Sequence, residues 1–245
     1  MTVFVLWDWD ATLADTYPVI NAAHAYTFEK LGMKNKMLSV DEIKKKTSTL
    51  QNKDVFEAVY GADKKNEARN FYYEYIRANH LEFLEPIEGA YATLEYLANI
   101  GAVQLLLSNK SNINKDGRGK FLTEETDKLE MSEYFSTVCG AGEEVEDKPS
   151  PIAVDALIKK SPKLPTKNDL ILVVGDGEAD MKVAEHLKKM GLKARSILLD
   201  PKKKYKGSVR PNYTVSELNT LPIIVRNETN GVAERARQLA RSKNR

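Results

Sequence analysis

Four short apolar runs recur along the chain, and helical patterns separate them. The runs are continuous rather than alternating, which is typical of strands buried on both faces of a parallel sheet. They lie at Val3–Trp7, Val103–Leu107, Leu170–Val174 and Ser196–Leu199. Strands that alternate with helices predict an α/β fold with a doubly wound, Rossmann-like parallel sheet at its core.

The helical patterns between these runs have recognisable ends. A pattern over residues 87–100 ends before Gly101, which suits the left-handed position after a helix. Another begins at Ser150–Pro151, a polar cap followed by a proline in the first turn. A third covers residues 180–190, and Gly191 ends it.

The segment that follows the first strand differs from the rest, because it has helical patterns and no clear strand. The patterns lie near residues 16–31, 41–46, 54–60 and 66–81. We therefore expect an inserted all-helical cap domain over residues 16–85, and a core formed by residues 1–15 and 86–226. Residues 227–245 are polar and rich in Arg and Ala, and we expect a C-terminal helix or tail there.

Composition limits the class of protein. The chain has 245 residues, 42% of them hydrophobic, and a net charge of +2, which predicts a soluble globular protein without the basic face of a nucleic-acid binder. The single cysteine, Cys139, excludes an intrachain disulfide and suits a reducing compartment. No stretch approaches the roughly 18 apolar residues of a membrane helix. We expect a cytoplasmic protein that binds neither nucleic acid nor membranes.

Candidate chemistry lies where the predicted strands end, since ligands of open parallel sheets bind at the carboxyl ends of the strands. Polar residues follow three of the four runs, and a lysine precedes the helix that starts at Ser150. These residues are Asp8, Asp10 and Thr12, then Ser108 and Asn109, then Lys148, and finally Asp176 and Asp180.

Four of these residues are aspartates, at positions 8, 10, 176 and 180. Carboxylates that lie close together repel one another and need a compensating charge. Oxygen ligands without His or Cys favour Mg²⁺ over zinc. A Mg²⁺ site beside a lysine and a small hydroxyl suits a phosphoryl group, and a carboxylate can attack phosphorus as a covalent nucleophile.

Taken in order, these segments resemble the motifs of the haloacid dehalogenase superfamily of phosphohydrolases. Residues 7–12, Trp-Asp-Trp-Asp-Ala-Thr, resemble the first motif, and Ser108 resembles the second. Lys148, with Pro149 and Pro151, resembles the third, and residues 175–180 resemble the fourth. The resemblance extends over about residues 3–218, and the helical insert resembles the cap of phosphoglycolate phosphatase-like members.

The resemblance implies two roles for the acids. Asp8 would form an aspartyl-phosphate, and Asp10 would protonate the leaving alcohol and then activate water. Asp8, the backbone carbonyl of Asp10, and Asp176 would bind Mg²⁺. Asp180 would bind the metal through water or orient its neighbours.

The resemblance also implies roles for the remaining polar residues. Ser108 and Lys148 would hold the phosphoryl oxygens and offset their charge. Thr12 would support the loop, and the backbone amides of Trp9 and Asn109 could reach the phosphate.

The chain departs from the family pattern at four places, one of which is Trp7, where the family often has Phe. The family often has Gly where this chain has Ala11, a change that is tolerable if the backbone there does not need a positive φ. Trp9 is bulkier than the common residue and could narrow the pocket or pack under the cap. Residues 114–119 are predicted to form an inserted turn.

Plainer explanations exist for each motif. Asp8 and Asp10 could form a strand-end turn, Ser108 or Asp180 could cap a helix, and Lys148 could be a surface residue. The lysine clusters at 44–46 and 202–206 are expected on the solvated surface. Residues 44–49 form a polar loop that, by analogy with the family, would contact substrate.

The expected function is therefore Mg²⁺-dependent hydrolysis of a small phosphomonoester, with a phosphorylated metabolite as substrate. One alternative is a sugar phosphomutase, whose fourth motif usually has adjacent acids where this chain has Asp176–Gly177. The other is a catalytically silent member that binds a phosphorylated ligand or a protein. Dehalogenation is disfavoured because dehalogenases lack the second acid, Asp10. The sequence specifies neither the substrate nor the oligomeric state.

Overall fold

Eight strands lie in this computed structural model, which describes residues 1–39, 42–43, 55–112, 120–141 and 146–230. They are β1 (Val3–Trp7), β2 (Ala14–Asp15), β3 (Glu85–Pro86), β4 (Val103–Ser111), β5 (Thr137–Ala141), β6 (Leu170–Gly175), β7 (Lys193–Leu199) and β8 (Tyr213–Val215). Six of them form one sheet in the order β5-β4-β1-β6-β7-β8, and every neighbouring pair is parallel.

Helices connect the strands. They are α1 (Tyr17–Lys30), α2 (Val55–Tyr60), α3 (Lys65–Asn79), α4 (Ala90–Asn99), α5 (Phe121–Lys128), α6 (Pro151–Lys160) and α7 (Glu178–Lys189), and residues 221–230 are also helical. Short 3₁₀ helices lie at Lys34–Lys36, Ser132–Tyr134 and Leu218–Thr220. Among the described helices, none has both the length and the apolar character that crossing a membrane requires.

The strand β1 is buried on both faces at the centre of the sheet. Its side chains alternate, so that Val5 and Trp7 pack in one apolar cluster with α4, while Phe4 and Leu6 pack in a second with α6 and α7. The continuous apolar sequence of β1 follows from this double burial. The predicted doubly wound, Rossmann-like sheet is confirmed.

Two strands of the sheet, β5 and β8, have no counterpart in the sequence prediction, and β7 begins at Lys193, before the predicted start at Ser196. Both missed strands lie at the edges of the sheet, where each pairs with one neighbour. Edge strands carry short and partly polar sequences, so their apolar signal is weak.

The predicted helix ends agree with the structure. Gly101 and Gly191 follow their helices with φ of +71° and +80°. The Ser150 hydroxyl accepts a hydrogen bond from the Ile152 N–H at 3.2 Å, which caps α6. These residues satisfy backbone groups that a helix end would otherwise leave unpaired.

Helices α1 to α3, with the described residues between them, form the helical insert. An antiparallel ribbon of β2 and β3 joins its two ends, pairing Ala14 with Pro86 and Asp15 with Glu85. Phe121 from α5 packs against Val19 and other apolar side chains of the insert. The boundaries that separate residues 16–85 as a domain of their own stay a prediction.

Several expectations fall on residues outside the described ranges. These are the lysines at 44–46, the polar loop at 44–49, nearly all of the helical pattern at 41–46, the inserted turn at 114–119, and residues 231–245 of the C-terminal segment. The second lysine cluster is described, and its Lys202, Lys203, Lys204 and Lys206 are exposed, as expected.

The stability of the helical insert is expected to depend on pH through His24. Its Nδ1 lies 2.6 Å from the Tyr60 hydroxyl, and burial lowers its pKa from the usual 6.5 to about 4. The unfolded chain therefore binds a proton that the folded protein excludes between pH 6.5 and 4. The stability that neutral His24 contributes is fully present above pH 6.5 and is lost as pH falls toward 4. At pH 5 the loss in the free energy of unfolding is about 2 kcal/mol.

Urea unfolding of the wild type and of His24→Gln at pH 7 and pH 5 measures this effect. Gln keeps an acceptor for Tyr60 but does not titrate in this range. We expect the wild type to lose about 2 kcal/mol more than the variant between the two pH values. Equal losses in both proteins would show that His24 does not carry the dependence.

Candidate active site

The loop after β1 places Asp8 at the carboxyl edge of the sheet. The Asp8 N–H donates to the Val174 carbonyl of β6 at 2.9 Å, which continues the pairing of the two strands by one residue. A tight turn follows, in which the N–H groups of Thr12 and Leu13 donate to the Trp9 carbonyl at 3.2 and 3.0 Å. Thr12 is fully buried, and its hydroxyl is 3.5 Å from Oδ2 of Asp8.

This turn gives Ala11 a left-handed backbone, with φ of +58°. Its N–H donates to the Ala14 carbonyl at 2.8 Å, and this bond holds the turn closed. Alanine was expected to be tolerable here if the backbone did not need a positive φ, and the structure shows that this condition is not met. Ala11 is strained because its Cβ approaches the backbone in this region.

Replacing Ala11 with Gly is expected to stabilise the protein by about 0.5–1 kcal/mol. Relief of left-handed strain favours the folded state by about 1–2 kcal/mol, and the added freedom of Gly in the unfolded chain offsets part of it. Urea unfolding measures the difference. Ala62→Gly, at an exposed alanine without a positive φ, is the control and should not stabilise. A destabilised Ala11→Gly would contradict the explanation.

Lys148 joins two of the acids. Its Nζ donates to Oδ1 of Asp8 at 2.6 Å and to Oδ1 of Asp180 at 2.8 Å, and its side chain is only 5% exposed. Burial acts to lower the pKa of Lys148, but the two carboxylates outweigh burial and raise it above the usual value. Lys148 is therefore a buried ammonium group at the carboxyl edge of the sheet.

Asn109 positions the backbone of Lys148. The Asn109 side chain donates to the Lys148 carbonyl at 3.1 Å and accepts from the Lys148 N–H at 2.6 Å. Ser108, the preceding residue, is 3% exposed, and its hydroxyl accepts from the Lys110 N–H at 3.1 Å. The contacts with phosphate predicted for Ser108 and Asn109 stay predictions.

The fourth predicted motif lies beside Asp8. Asp180 is in the first turn of α7, and its Oδ2 accepts from the Gly177 N–H at 3.2 Å. Asp176 lies in the turn before α7 and accepts a hydrogen bond from the Tyr17 hydroxyl of α1 at 3.0 Å. The helical insert therefore contacts the acid cluster directly.

Oxygen atoms of Asp8, Asp176 and Asp180 all lie within 4.8 Å of one another. Burial is the largest effect that raises the pKa of Asp8 to about 8, and the nearby Asp180, Asp176 and Asp10 raise it further against the opposing charge of Lys148. This excess of negative charge fits a divalent cation, which would favour the ionised form of Asp8. The all-oxygen donor set fits Mg²⁺.

Asp10 lies in a different environment from Asp8. Its Oδ1 accepts from the Thr16 hydroxyl at 2.6 Å and forms an ion pair with Lys110 at 2.9 Å. Burial acts to raise the pKa of Asp10, but Lys110 and Thr16 outweigh it and hold the pKa below the usual 3.8. The two acids of the first motif thus have pKa values shifted in opposite directions.

Two residues that the sequence prediction gave no role, Lys110 and Glu125, complete this environment. Glu125 of α5 is fully buried, and its carboxylate contacts the Lys110 ammonium and the Trp9 indole N–H. Burial raises the pKa of Glu125 to about 7, although Lys110 opposes the shift. Trp9 is fully buried in the core, so the structure favours the packing role among the two predicted for it.

The signal for Lys110 is in the sequence, since it follows Ser108 and Asn109 at the end of the same apolar run. Glu125 carries no such signal. It lies next to Glu124, which is exposed, and sequence pattern alone does not separate the two in so short a helix.

Comparison with known proteins supports a family assignment. The family model for haloacid dehalogenase-like hydrolases matches residues 5–194 of this chain. A search of curated proteins found no match.

Solved structures with the same fold cover nearly the whole chain. A predicted phosphoglycolate phosphatase from Haemophilus somnus 129PT has a TM-score of 0.72 and 17% identity, with 91% of this chain and 97% of that chain covered. A haloacid dehalogenase-like hydrolase from Streptococcus pneumoniae has a TM-score of 0.69 and 18% identity, with 92% and 98% covered. A HAD-hydrolase from Bacillus subtilis, bound to magnesium, has a TM-score of 0.65 and 16% identity, with 91% and 97% covered.

Proposed function

The chain belongs to the haloacid dehalogenase-like hydrolase family, and from this membership we propose that it is a Mg²⁺-dependent phosphatase acting on a small phosphomonoester. One observation carries the proposal. The buried Asp8 lies in a cluster with the buried Asp180 and the half-buried Asp176, and the Lys148 ammonium is 2.6 Å from Oδ1 of Asp8. A carboxylate beside a buried cation, in a cluster that fits a divalent metal, suits nucleophilic attack on a phosphoryl group.

In the first step, an oxygen of Asp8 attacks phosphorus, and the bond between phosphorus and the leaving oxygen breaks. The negative charge of a bound phosphoryl group would raise the pKa of Asp10, so that Asp10 takes up a proton when the ester binds. Asp10 then gives this proton to the leaving oxygen, which departs as an alcohol. In the second step, water attacks the aspartyl-phosphate, and Asp10 takes the proton of the water. The bond between phosphorus and Asp8 breaks, which releases phosphate and restores both acids.

The metal would be held by the carboxylates of Asp8 and Asp176 and the backbone carbonyl of Asp10, with Asp180 in a supporting position. When bound, Mg²⁺ supplies positive charge that stabilises the phosphoryl oxygens. Lys148 adds a second positive charge from the protein, and Asn109 holds its backbone. Ser108 would contribute a hydroxyl to the phosphoryl oxygens, and Thr12 supports the loop below Asp8.

The helical insert would act as a cap over this edge of the sheet. Tyr17 at the start of α1 contacts Asp176. Burial first, and then Tyr73 and the negative charge of Asp10, raise the pKa of the Tyr72 hydroxyl in α3. An insert in this position would exclude water and contact the leaving group of a phosphorylated metabolite. We expect the protein in the cytoplasm.

Release of phosphate from p-nitrophenyl phosphate tests the proposal. We expect turnover with Mg²⁺, loss of turnover with excess EDTA, and recovery when Mg²⁺ is added back, because the acid cluster needs a cation. Ca²⁺ prefers more ligands and a looser geometry, and it is the comparison metal that should support little turnover. Turnover that persists in EDTA would contradict the metal requirement, and metal-dependent phosphate binding without turnover of any tested ester would favour a catalytically silent member.

A further inference from the structure

Glu125 is a buried acid outside the predicted motifs, and its carboxylate contacts Trp9 of the first motif. Its helix, α5, packs against β4, and Glu125 is 0% exposed. A buried carboxylate is costly unless donors surround it, and an apolar side chain of similar size is often as stable in its place. The neighbours of Glu125 on α5, Phe121 and Leu122, form an apolar surface that would accommodate such a side chain.

The donors to Glu125 are Trp9, which precedes Asp10 in the chain, and Lys110, which forms an ion pair with Asp10. The Trp9 indole N–H donates to Oε2 at 2.6 Å, and Lys110 Nζ is 2.7 Å from Oε1 and 2.6 Å from Oε2. Lys110 also pairs with Oδ1 of Asp10 at 2.9 Å. An ammonium group has three N–H donors, and the contacts of Lys110 with the two oxygens of Glu125 and with Oδ1 of Asp10 use all three. Glu125 thereby fixes the ammonium group against Asp10.

Asp10 is held through one of its two oxygens. Lys110 and the Thr16 hydroxyl both bind Oδ1, at 2.9 and 2.6 Å. Among the hydrogen bonds formed by residues that the structure describes, none reaches Oδ2. The protein therefore fixes Oδ1 and leaves Oδ2 to exchange a proton with a leaving group or with water.

We propose that Glu125 is a positioning residue for the phosphatase reaction, an inference that rests on the proposed function. Through Lys110 it fixes Oδ1 of Asp10, and through Trp9 it fixes the residue between the two acids. Oδ2 of Asp10 is then oriented toward the leaving oxygen. Glu125 does not touch the substrate. It acts on the step in which Asp10 gives its proton to the leaving oxygen as the bond to phosphorus breaks.

Two esters of similar size separate this role from a structural one. The p-nitrophenolate ion leaves without a proton, whereas the more basic p-methylphenolate needs one. The ratio kcat/KM reports the steps up to the departure of the leaving group. We expect Glu125→Gln to lower kcat/KM for p-methylphenyl phosphate about 10- to 100-fold more than for p-nitrophenyl phosphate. A general loss of folded protein would lower both values equally.

Matched variants control the experiment. Lys110→Met should show the same selective loss, and adding Glu125→Gln to it should have little further effect, because the two residues act as a unit. Lys128→Met removes an exposed lysine of α5, and Glu133→Gln removes an exposed acid near it. Both controls should leave the two kcat/KM values unchanged.

Equal losses for the two esters, or no loss, overturn the inference while the proposed function stands. A wild-type protein that hydrolyses neither ester overturns the proposed function and the inference together. If Glu125→Gln does not fold, the double variant Lys110→Met/Glu125→Leu removes both buried charges at once, a change that proteins often tolerate. That variant is expected to fold and to show the selective loss, and unselective kinetics in it overturn the inference.

Discussion

Asp8→Asn is expected to lower kcat/KM for p-nitrophenyl phosphate by about 10⁴-fold or more, because an amide cannot form the covalent intermediate. The shape of the side chain is kept, and Lys148 keeps its contact with Asp180 at 2.8 Å. The loss of activity should therefore occur in a folded protein. A variant that retains more than about 1% of wild-type activity would exclude Asp8 as the nucleophile.

The same substitution is expected to increase stability when EDTA removes metal. Burial first, and then the charges of Asp180 and Asp176, raise the pKa of Asp8 from 3.8 to about 8 in the folded protein. A raised pKa means that the stability contributed by this group is complete below pH 3.8 and is lost as pH rises toward 8. At pH 7 Asp8 is ionised in the unfolded chain, whereas the folded protein without metal must take up a proton at Asp8, and this difference disfavours folding. Asn does not titrate and removes the penalty. We expect a gain of about 1–2 kcal/mol in the free energy of unfolding.

Urea unfolding in EDTA at pH 7, followed by the fluorescence of the buried Trp7 and Trp9, measures the gain. Asp63→Asn, at an exposed aspartate of the helical insert, is the control and should change neither activity nor stability. Opposite changes of activity and stability at one residue are typical of an active site whose charges oppose folding. A destabilised Asp8→Asn would show that the contact with Lys148 outweighs the repulsion among the acids.

The sequence predicts the central sheet and the position of its acids for one physical reason. Strands buried on both faces need continuous apolar runs, and such runs are visible without knowledge of the tertiary structure. Parallel strands then bring their carboxyl ends to one edge. In the structure, carboxylate oxygens of Asp8, Asp176 and Asp180 accordingly lie within 4.8 Å of one another, although Asp8 is far from the other two in the chain.

The remaining features depend on contacts that local patterns do not encode. The edge strands β5 and β8 form because a neighbouring strand offers its hydrogen-bonding groups, and their own sequences carry little apolar signal. Glu125 is buried and Glu124 is exposed only because α5 turns one face toward the sheet. The left-handed backbone of Ala11 depends on the hydrogen bond from its N–H to the Ala14 carbonyl. In the sequence, the only indication of this backbone was that the family often has Gly at this position.

Gly175→Ala is expected to disrupt the acid cluster, because the last residue of β6 has no room for a side chain. A Cβ at Gly175 would lie 2.2 Å from Cγ and Oδ2 of Asp180. Asp180 cannot move away easily, since it is 4% exposed and bonded to Lys148 and to the Gly177 N–H. We expect kcat/KM to fall about 100-fold, the Mg²⁺ concentration for half-activation to rise at least about 10-fold, and stability to fall by about 1–3 kcal/mol.

Gly177→Ala is the matched control in the same loop. A Cβ there would lie 3.6 Å from Oδ2 of Asp180, an ordinary contact, and its φ of −132° suits any residue. We expect its activity and Mg²⁺ requirement to stay within about threefold of the wild type. Equal effects of the two substitutions would indicate a general sensitivity of the loop rather than a clash with Asp180.

A double variant separates the clash from the chemistry of Asp180. In Gly175→Ala/Asp180→Ala, the new methyl group meets no carboxylate, so the overpacking is relieved. The double variant should therefore be more stable than Gly175→Ala. Its Mg²⁺ concentration for half-activation should stay raised and its kcat/KM should stay low, because Asp180 is missing. If the double variant regained activity, Asp180 would be dispensable and the defect of Gly175→Ala would be steric alone. If it stayed inactive while regaining stability, the role of Gly175 would be to leave space for an acid that the reaction needs.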